Sequence, residues 1–312
     1  IYNLQNIAII NIFMKLSIIT PVYNEAENLG RLFKEIKDVL SRQNFDYEVI
    51  AINDGSKDNS LTVLEAEARN DRRVKVINFS RNFGQTAAMS AGIKLAIGDI
   101  IIPLDADLQN DPIDIPRFLE KINEGYDVVS GWRKNRKDKL VFKKIPSWAA
   151  NWIIGLITGV KIHDYGCSIK AYKKEAIQGV NLYGEMHRFI PAYIAWGGGS
   201  VGEISVNHRS RIHGETKYGL SRTFRVILDI ILIKFLSKYM NRPMHFFGGI
   251  GFMSLALGFL SGLVAVGLRL FIGLHLVQTP LPVFSALLII IGAQFIVMGV
   301  LSEILMRTYY ES

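Results

Sequence analysis

Two carboxylates stand two residues apart at the end of a short apolar run. The segment is Leu104-Asp105-Ala106-Asp107, and the residues before it have the composition of a buried strand. Carboxylates with this spacing can converge on one hard cation, and such a cation can bridge a diphosphate and neutralise a leaving group. An Asp-x-Asp pair also occurs in calcium loops and solvated turns, but its position at a strand end favours a metal site here.

Two further polar segments follow the first two predicted strands. Thr20–Glu25 comes after the first, and Asn53–Asp58 comes after the second. Taken singly, the first is typical of a helix N-cap with an acidic first turn, and the second of an Asp-Gly turn. At adjacent strand ends the two segments together would form a polar pocket that could accept a base and a ribose.

Strand and helix patterns alternate over residues 15–130. The predicted strands are Leu16–Thr20, Tyr47–Ile52, Val74–Asn78, Asp99–Leu104 and Asp127–Ser130. The predicted helices are Glu25–Leu40, Asn59–Asn70, Thr86–Ala96 and Ile113–Gly125. This alternation predicts a mostly parallel, doubly wound α/β sheet, whose ligands lie at the carboxyl ends of the strands. The polar segments fall at those ends.

Charge and apolar residues are unevenly distributed along the chain. The net charge is +8, and the four charged residues of Phe246–Ser312 cancel, so the excess belongs to residues 1–245. A basic domain suggests an anionic partner, either nucleic acid, nucleotide phosphate or a membrane surface, and the apolar last third favours the membrane. The single cysteine, Cys167, excludes an internal disulfide and a cysteine zinc cluster, and we expect it to be a small packed residue.

Two apolar helices with basic neighbours are predicted beyond Gly131. Ser147–Val160 carries two tryptophans after a lysine-rich stretch, and Ser221–Met240 has a short apolar run flanked by arginines and lysines. Both suit a membrane interface, and the alternative is ordinary core packing.

Two longer segments, Phe246–Leu268 and Leu281–Ser302, lack charged residues entirely. Each would extend about 33 Å or more as a helix, enough to cross a bilayer. More basic residues precede the first segment than lie in the connecting loop, which predicts a cytoplasmic N-terminal domain. Ser254, Gly258 and Gly262 form a small-residue stripe that could pack the two spans together or join protomers.

The motifs together resemble a known enzyme family. Pro21–Asn28, Asp54–Ser60 and Asp105–Pro112 resemble the nucleotide-sugar motifs of inverting family 2 glycosyltransferases with a GT-A fold. Further segments resemble dolichyl-phosphate mannose synthases and bacterial polyprenyl-phosphate glucosyltransferases. They are Val129–Arg133, the pair Ser147 and Asn151, Asp164–Lys170 and Arg211–Gly219.

The resemblance implies a role for each matching residue. The donor nucleotide would be held by Pro21, Tyr23, Glu25, Asp54 and Asp105. Mg²⁺ or Mn²⁺ would be held with the diphosphate by Asp105, Asp107 and Gln109. The acceptor phosphate would meet Ser147 and Arg211. Catalytic roles would fall to Arg133 and Lys217, which would contact phosphates, and to Asp164, as a base or an acceptor-orienting group.

We therefore expect a GT-A domain over residues 15–220, whose basic acceptor region begins near 131. A juxtamembrane helix at 221–245 and two transmembrane helices within 246–306 follow. The expected activity is inverting transfer of a hexose from a nucleotide sugar to undecaprenyl phosphate, most simply glucose from UDP-glucose, with GDP-mannose as the alternative donor. We expect a multi-pass inner-membrane protein that contacts the bilayer, binds no nucleic acid and could form homo-oligomers. A processive polysaccharide synthase and a non-enzymatic scaffold are the rivals; the first lacks its Gln-x-x-Arg-Trp motif here, and the intact Asp105/Asp107 pair opposes the second.

Overall fold

A computed structural model describes most of the chain. The described residues are 14–43, 45–134, 145–180, 182, 184, 186–209, 232, 235, 239 and 242–311, with backbone alone at 145–150 and 309–311. The chain divides into two compact units, Ile1–Arg225 and Val226–Ser312. Most of the juxtamembrane helix expected at Ser221–Met240 lies outside the described residues.

The first unit alternates strands and helices as the sequence predicts. Its strands are β1 Lys15–Val22, β2 Asp46–Asn53, β3 Val74–Asn78, β4 Ile100–Pro103, β5 Val128–Trp132, β6 Lys170–Lys173 and β7 Val201–Ser205. Its helices are α1 Ala26–Arg42, α2 Ser60–Asn70, α3 Gln85–Leu95, α4 Ile115–Asn123, α5 Ile145–Thr158, α6 Lys174–Ile177 and α7 Ile190–Trp196. Predicted bounds from β1 to β5 agree within a few residues.

The seven strands form one sheet in the order β3-β2-β1-β4-β6-β5-β7. β1 pairs in parallel with β2 and β4, and β5 pairs in parallel with β7. β6 lies antiparallel between β4 and β5. Six strands therefore run in one direction and one runs against them, so the sheet is mixed but mostly parallel, and the expected α/β fold is confirmed.

Apolar side chains hold helices on both faces of this sheet. One face of α1 is buried, with Leu29, Leu32 and Ile36 at 0–1% exposure. It packs with Leu16 and Ile18 of β1 on one face, while Ile19 lies on the other with α3. Because both faces of β1 are covered, its run is continuously apolar, as buried parallel strands are.

The second unit contains a helical hairpin of α8 Pro243–Gly267 and α9 Leu281–Glu311. The segments Pro243–Ile272 and Leu281–Thr308 are long and apolar enough to cross a membrane. A Cβ at Gly258 would lie 2.9 Å from Ile289, and Ser285 Oγ donates to the Gly258 carbonyl oxygen at 2.7 Å. Of the two roles considered for the small-residue stripe, the structure shows the packing of one helix on the other.

Candidate active site

Polar residues gather at the carboxyl edge of the sheet. Asp54 follows β2 and Asp105 follows β4, while Arg133 follows β5. Because β6 runs the other way, its entry segment, 164–169, arrives at the same edge. The topology thus brings Asp164 to the strand ends where the sequence places the donor motifs.

The two carboxylates after β4 lie in a tight, largely buried turn. Asp107 is 9% exposed, and its Oδ1 accepts from the Gln109 backbone N–H at 3.2 Å. Leu108, between Asp107 and Gln109, has φ of 60°, a left-handed conformation that is rare for a bulky side chain. Such local strain is typical of residues held in place for function, and here it returns the chain toward the carboxylates.

Electrostatics indicate that this turn suits a cation. Burial, reinforced by repulsion from Asp107, raises the pKa of Asp105 to about 6. A divalent cation between the two carboxylates would relieve that repulsion. Within the described part of the chain, no three acidic, His or Cys side chains come together, so a bound Mg²⁺ or Mn²⁺ would complete its shell with diphosphate oxygens and water.

Asp54 contacts backbone instead of standing open at its strand end. It is 3% exposed, and its two carboxylate oxygens accept from the N–H groups of Phe83 and Gly84 at 2.7 and 2.9 Å. Gly55 follows with φ of 65°, and a Cβ there would lie 2.3 Å from the Arg81 carbonyl carbon. The Asp-Gly pair is a turn, as its composition indicates, and it also fixes the loop that leads into α3. The nucleoside role of Asp54 stays a prediction.

The segment after β1 is tied to the segment after β2. Asn24 N–H donates to Ser56 Oγ at 3.0 Å, and Glu25 N–H donates to Ser60 Oγ at 2.9 Å. Ala26 N–H, the first of α1, donates to Asp58 Oδ2 at 3.1 Å, and the N-cap residue Glu25 makes no side-chain cap hydrogen bond. The predicted donor residues Pro21, Tyr23 and Glu25 are thereby held on a rigid platform beside Asp54.

Arg133 and Asp164 form a bidentate ion pair. Arg133 Nε and Nη2 donate to the two carboxylate oxygens at 2.7 and 2.9 Å, and the side chains are 14% and 8% exposed. Burial alone would lower the pKa of Arg133, but the hydrogen bonds and charge of Asp164 outweigh it and raise that pKa. Two predicted catalytic residues are therefore in direct contact, which the sequence did not indicate.

Further polar residues surround this pair, and the sequence did not single them out. The Lys170 side chain is 2% exposed, and its ammonium donates to the carbonyl oxygens of Tyr165 and Cys167. Asn110 Nδ2 donates to Ser168 Oγ at 2.8 Å, which joins the turn after β4 to the segment before β6. Cys167 is buried in the core, as expected. β6 has a lysine at each end, and local sequence does not show that Lys170 is the buried one.

The apolar helix α5 is bonded to the segment that carries Asp164. Asn151 Nδ2 donates to the His163 carbonyl oxygen at 2.9 Å, and Thr158 Oγ1 hydrogen-bonds Tyr165 Oη at 2.8 Å. Trp152 and Leu156 remain 61% and 70% exposed. The predicted catalytic residue Lys217 and the predicted acceptor residue Arg211 lie outside the described residues, as does the side chain of the acceptor residue Ser147.

Known proteins are similar to this chain in sequence and in fold. Residues 17–180 match the model of "Glycosyl transferase family 2". The chain belongs to glycosyltransferase family 2. The matched residues include the donor motifs and the Asp164 segment, and the protein is therefore a glycosyltransferase.

Its relatives include polyprenyl-phosphate glycosyltransferases. The chain is 43% identical to dodecaprenyl-phosphate galacturonate synthase of Rhizobium johnstonii, over 96% of this chain and 89% of that protein. It is 38% identical to undecaprenyl-phosphate 4-deoxy-4-formamido-L-arabinose transferase of Pseudomonas fluorescens, over 95% and 85%. The resemblance drawn from the motifs is confirmed, and these relatives' names carry sugars other than glucose.

Solved structures agree with the GT-A assignment. The fold is similar to glucosyl-3-phosphoglycerate synthase of Mycobacterium tuberculosis in complex with Mn²⁺ and UDP-glucose, with a TM-score of 0.58, 14% identity, and coverage of 76% of this chain and 83% of that one. At this identity the likeness concerns the fold alone. The predicted GT-A architecture with two apolar C-terminal helices is thereby confirmed.

Proposed function

We propose that this glycosyltransferase moves a sugar from a nucleotide diphospho-sugar to a polyprenyl phosphate at a membrane surface. The observation that carries the proposal is the buried Arg133–Asp164 pair, which stands at the sheet edge with Asp105 on one side and the apolar helix α5 on the other. The relatives of this protein are named for dodecaprenyl phosphate and undecaprenyl phosphate, which supports a polyprenyl phosphate as the acceptor. Donor and lipid headgroup would meet at this edge.

The reaction depends more on neutralising the negative charges of donor and acceptor than on a strong base. A phosphate monoester is largely dianionic at neutral pH, since its second pKa is about 6, so the acceptor oxygen is already nucleophilic. An anionic acceptor must approach an anionic donor, and the protein must stabilise the departing nucleoside diphosphate. A divalent cation bound at Asp105 and Asp107 would supply that stabilisation, as Mn²⁺ accompanies UDP-glucose in the M. tuberculosis enzyme.

The geometry favours an orienting role for Asp164. Both carboxylate oxygens accept from the Arg133 guanidinium, whose remaining donors can meet a phosphate. A carboxylate in this arrangement fixes the arginine fork at the place where the headgroup would arrive. We infer that Arg133 contacts the acceptor phosphate and that Asp164 orients it, with Ser147, Arg211 and Lys217 as further proposed phosphate contacts.

The donor sugar is proposed from the relatives as a uronic acid or a modified pentose. The 43% identity to a galacturonate synthase over nearly the whole chain makes a uronate the first candidate. UDP-glucose, the donor expected from the sequence, and GDP-mannose become comparison donors.

The membrane arrangement is proposed from the two apolar helices and the charge pattern. Two spans return the chain to the side from which it started, and basic residues concentrate before the first span. The catalytic unit would then lie on the cytoplasmic face of the inner membrane, where nucleotide sugars are made.

The test uses the full chain purified in detergent micelles. Undecaprenyl phosphate and Mn²⁺ are incubated with radiolabelled UDP-galacturonate, UDP-glucose or GDP-mannose, and lipid-extractable label is counted. We expect label transfer with at least one donor and none when undecaprenol replaces its phosphate. Hydrolysis without lipid labelling would refute the proposed acceptor class.

A further inference from the structure

Gln85, the first residue of α3, contacts a predicted metal ligand. Its Nε2 donates to Asp105 Oδ1 at 2.8 Å. The bond holds one oxygen and so limits rotation of the carboxylate. An amide donor does this without adding a positive charge, so Asp105 keeps its full attraction for a cation, which a lysine or arginine at this position would weaken.

The loop before α3 presents Gln85 in a fixed position. Gly84 has φ of 93°, which favours glycine, and its N–H and that of Phe83 both donate to the carboxylate of Asp54. Asn82 Nδ2 donates to the Asp54 carbonyl oxygen at 3.2 Å. The turn after β2 therefore fixes the residues immediately before Gln85.

Helix α3 itself is held from two further directions. Thr86 Oγ1, one residue beyond Gln85, lies 2.7 Å from His187 Nδ1. On the sheet side, a Cβ at Gly92 would lie 2.5 Å from Ile19 Cγ2 of β1, so the helix packs closely on the strand. The donor atom of Gln85 thus stands on a rigid element, as accurate orientation of a metal ligand requires.

We propose that Gln85 is a positioning residue for the metal site and that Asp54 acts on the same site by fixing the loop that presents Gln85. This inference rests on the proposed function only in that Asp105 binds the donor's cation. It connects the Asp-Gly turn after β2 to the carboxylate after β4 through side-chain and backbone hydrogen bonds alone. Asp54 would then influence metal binding as well as any contact it makes with the nucleoside.

The test measures metal binding directly, without turnover. Mn²⁺ is titrated into the full chain in micelles with saturating UDP, and free Mn²⁺ is followed by electron paramagnetic resonance. Gln85→Leu keeps the size of the side chain and removes the donor. We expect its Mn²⁺ Kd to rise about 10- to 100-fold, the range for losing an outer hydrogen-bond partner of a metal ligand. Metal-free UDP affinity should stay within about 2-fold of wild type, because Gln85 acts on the carboxylate.

The exposed Gln178, far along the chain after α6, provides the matched control. Gln178→Leu should leave both affinities unchanged. An equal loss of metal-free UDP affinity in Gln85→Leu would overturn the positioning role in favour of general damage to the pocket. An unchanged Mn²⁺ Kd would overturn it outright while leaving the proposed function intact.

Wild-type protein and Asp105→Ala separate this inference from the proposed function. If wild type with UDP or GDP binds no Mn²⁺, or Asp105→Ala binds it normally, the proposed metal site fails and the inference fails with it. For the loop, Asp54→Asn should weaken Mn²⁺ binding in wild type but add little in Gln85→Leu. Equal effects in both backgrounds would overturn the part assigned to Asp54.

Discussion

Replacing Asp164 by Asn should damage both stability and turnover. The substitution keeps the shape of the side chain, but an amide offers Arg133 one acceptor and opposes its other N–H with a second donor. At least one of the bonds at 2.7 and 2.9 Å is therefore lost, and the guanidinium, 14% exposed, keeps its charge without a countercharge. Removing one partner of a buried pair costs about 3 kcal/mol or more, which for a unit of this size lowers Tm by about 6–12 °C.

We expect kcat with saturating undecaprenyl phosphate to fall about 10²-fold, the low end of the range for general acid–base groups, because the acceptor is already ionised. The assay combines kcat, nucleotide affinity and thermal unfolding in micelles. Asp71→Asn is the matched control: Asp71 forms the same bidentate pair with Arg73, but that arginine is 39% exposed and the pair lies at the surface. It should cost about 1 kcal/mol and leave kcat unchanged.

A second variant separates orientation from proton transfer. Arg133→Lys keeps the charge and loses the fork, so if Asp164 works by orienting Arg133, the double variant should be no slower than the worse single variant. If the losses in kcat of the two single variants multiply in the double variant, the orienting role of Asp164 is refuted. A near-wild-type kcat for Asp164→Asn would remove Asp164 from the catalytic residues altogether.

Four other perturbations test the remaining parts of the structure. Asp105→Ala or Asp107→Ala should lower kcat/KM by about 10²-fold or more, and full activity in a chelator would exclude the metal. A chain ending after Arg242 should bind nucleotide in dialysis but transfer poorly to lipid; loss of nucleotide affinity in a folded fragment would contradict this. Burial alone would raise the pKa of Glu48, but hydrogen bonds from Lys75, Ser17 and the Ile97 backbone lower it below 4.5. The charged Glu48 therefore stabilises the fold above about pH 4.5, and this contribution declines as pH falls through the lowered pKa. Glu48→Gln should therefore unfold more easily at pH 7 and lose less stability on acidification, as urea titrations at several pH values would reveal. Gly258→Leu should separate α8 from α9. The yield of a disulfide cross-link between cysteines placed on the two helices should therefore fall.

Much of the first unit was predictable because its pattern is local. Strands β1 to β4 are short apolar runs that end in polar residues, and periodicity and turn composition suffice to find them. The Asp105 turn was found for the same reason. Strand β6 was harder: Lys170–Lys173 has only four residues with a lysine at each end, and its direction depends on pairing with β4 and β5, which local sequence does not encode.

The contacts of the site residues were not predictable. The nucleoside role of Asp54 stays a prediction, but the bonds that its carboxylate accepts from the backbone N–H groups of Phe83 and Gly84 could not be read from the motif. The pairing of Arg133 with Asp164 and the approach of Gln85 to Asp105 depend likewise on where separate strands end in the sheet. Motif residues indicate which groups are present, while the tertiary fold decides which of them touch.

Ribosomal synthesis delivers the strands in a different order from their order in the sheet. β1 to β4 can pair as soon as residue 103 has emerged, but β5 has no neighbour until β6 arrives. The outermost strand, β7, completes the sheet only at residue 205. Such distant pairing is slow, because a long loop must close before any contact forms. The segments proposed to bind the donor therefore emerge before those proposed to bind the acceptor. Asp105, Arg133 and Asp164 can come together once β6 has emerged at residue 173, well before the first candidate membrane span begins at Pro243.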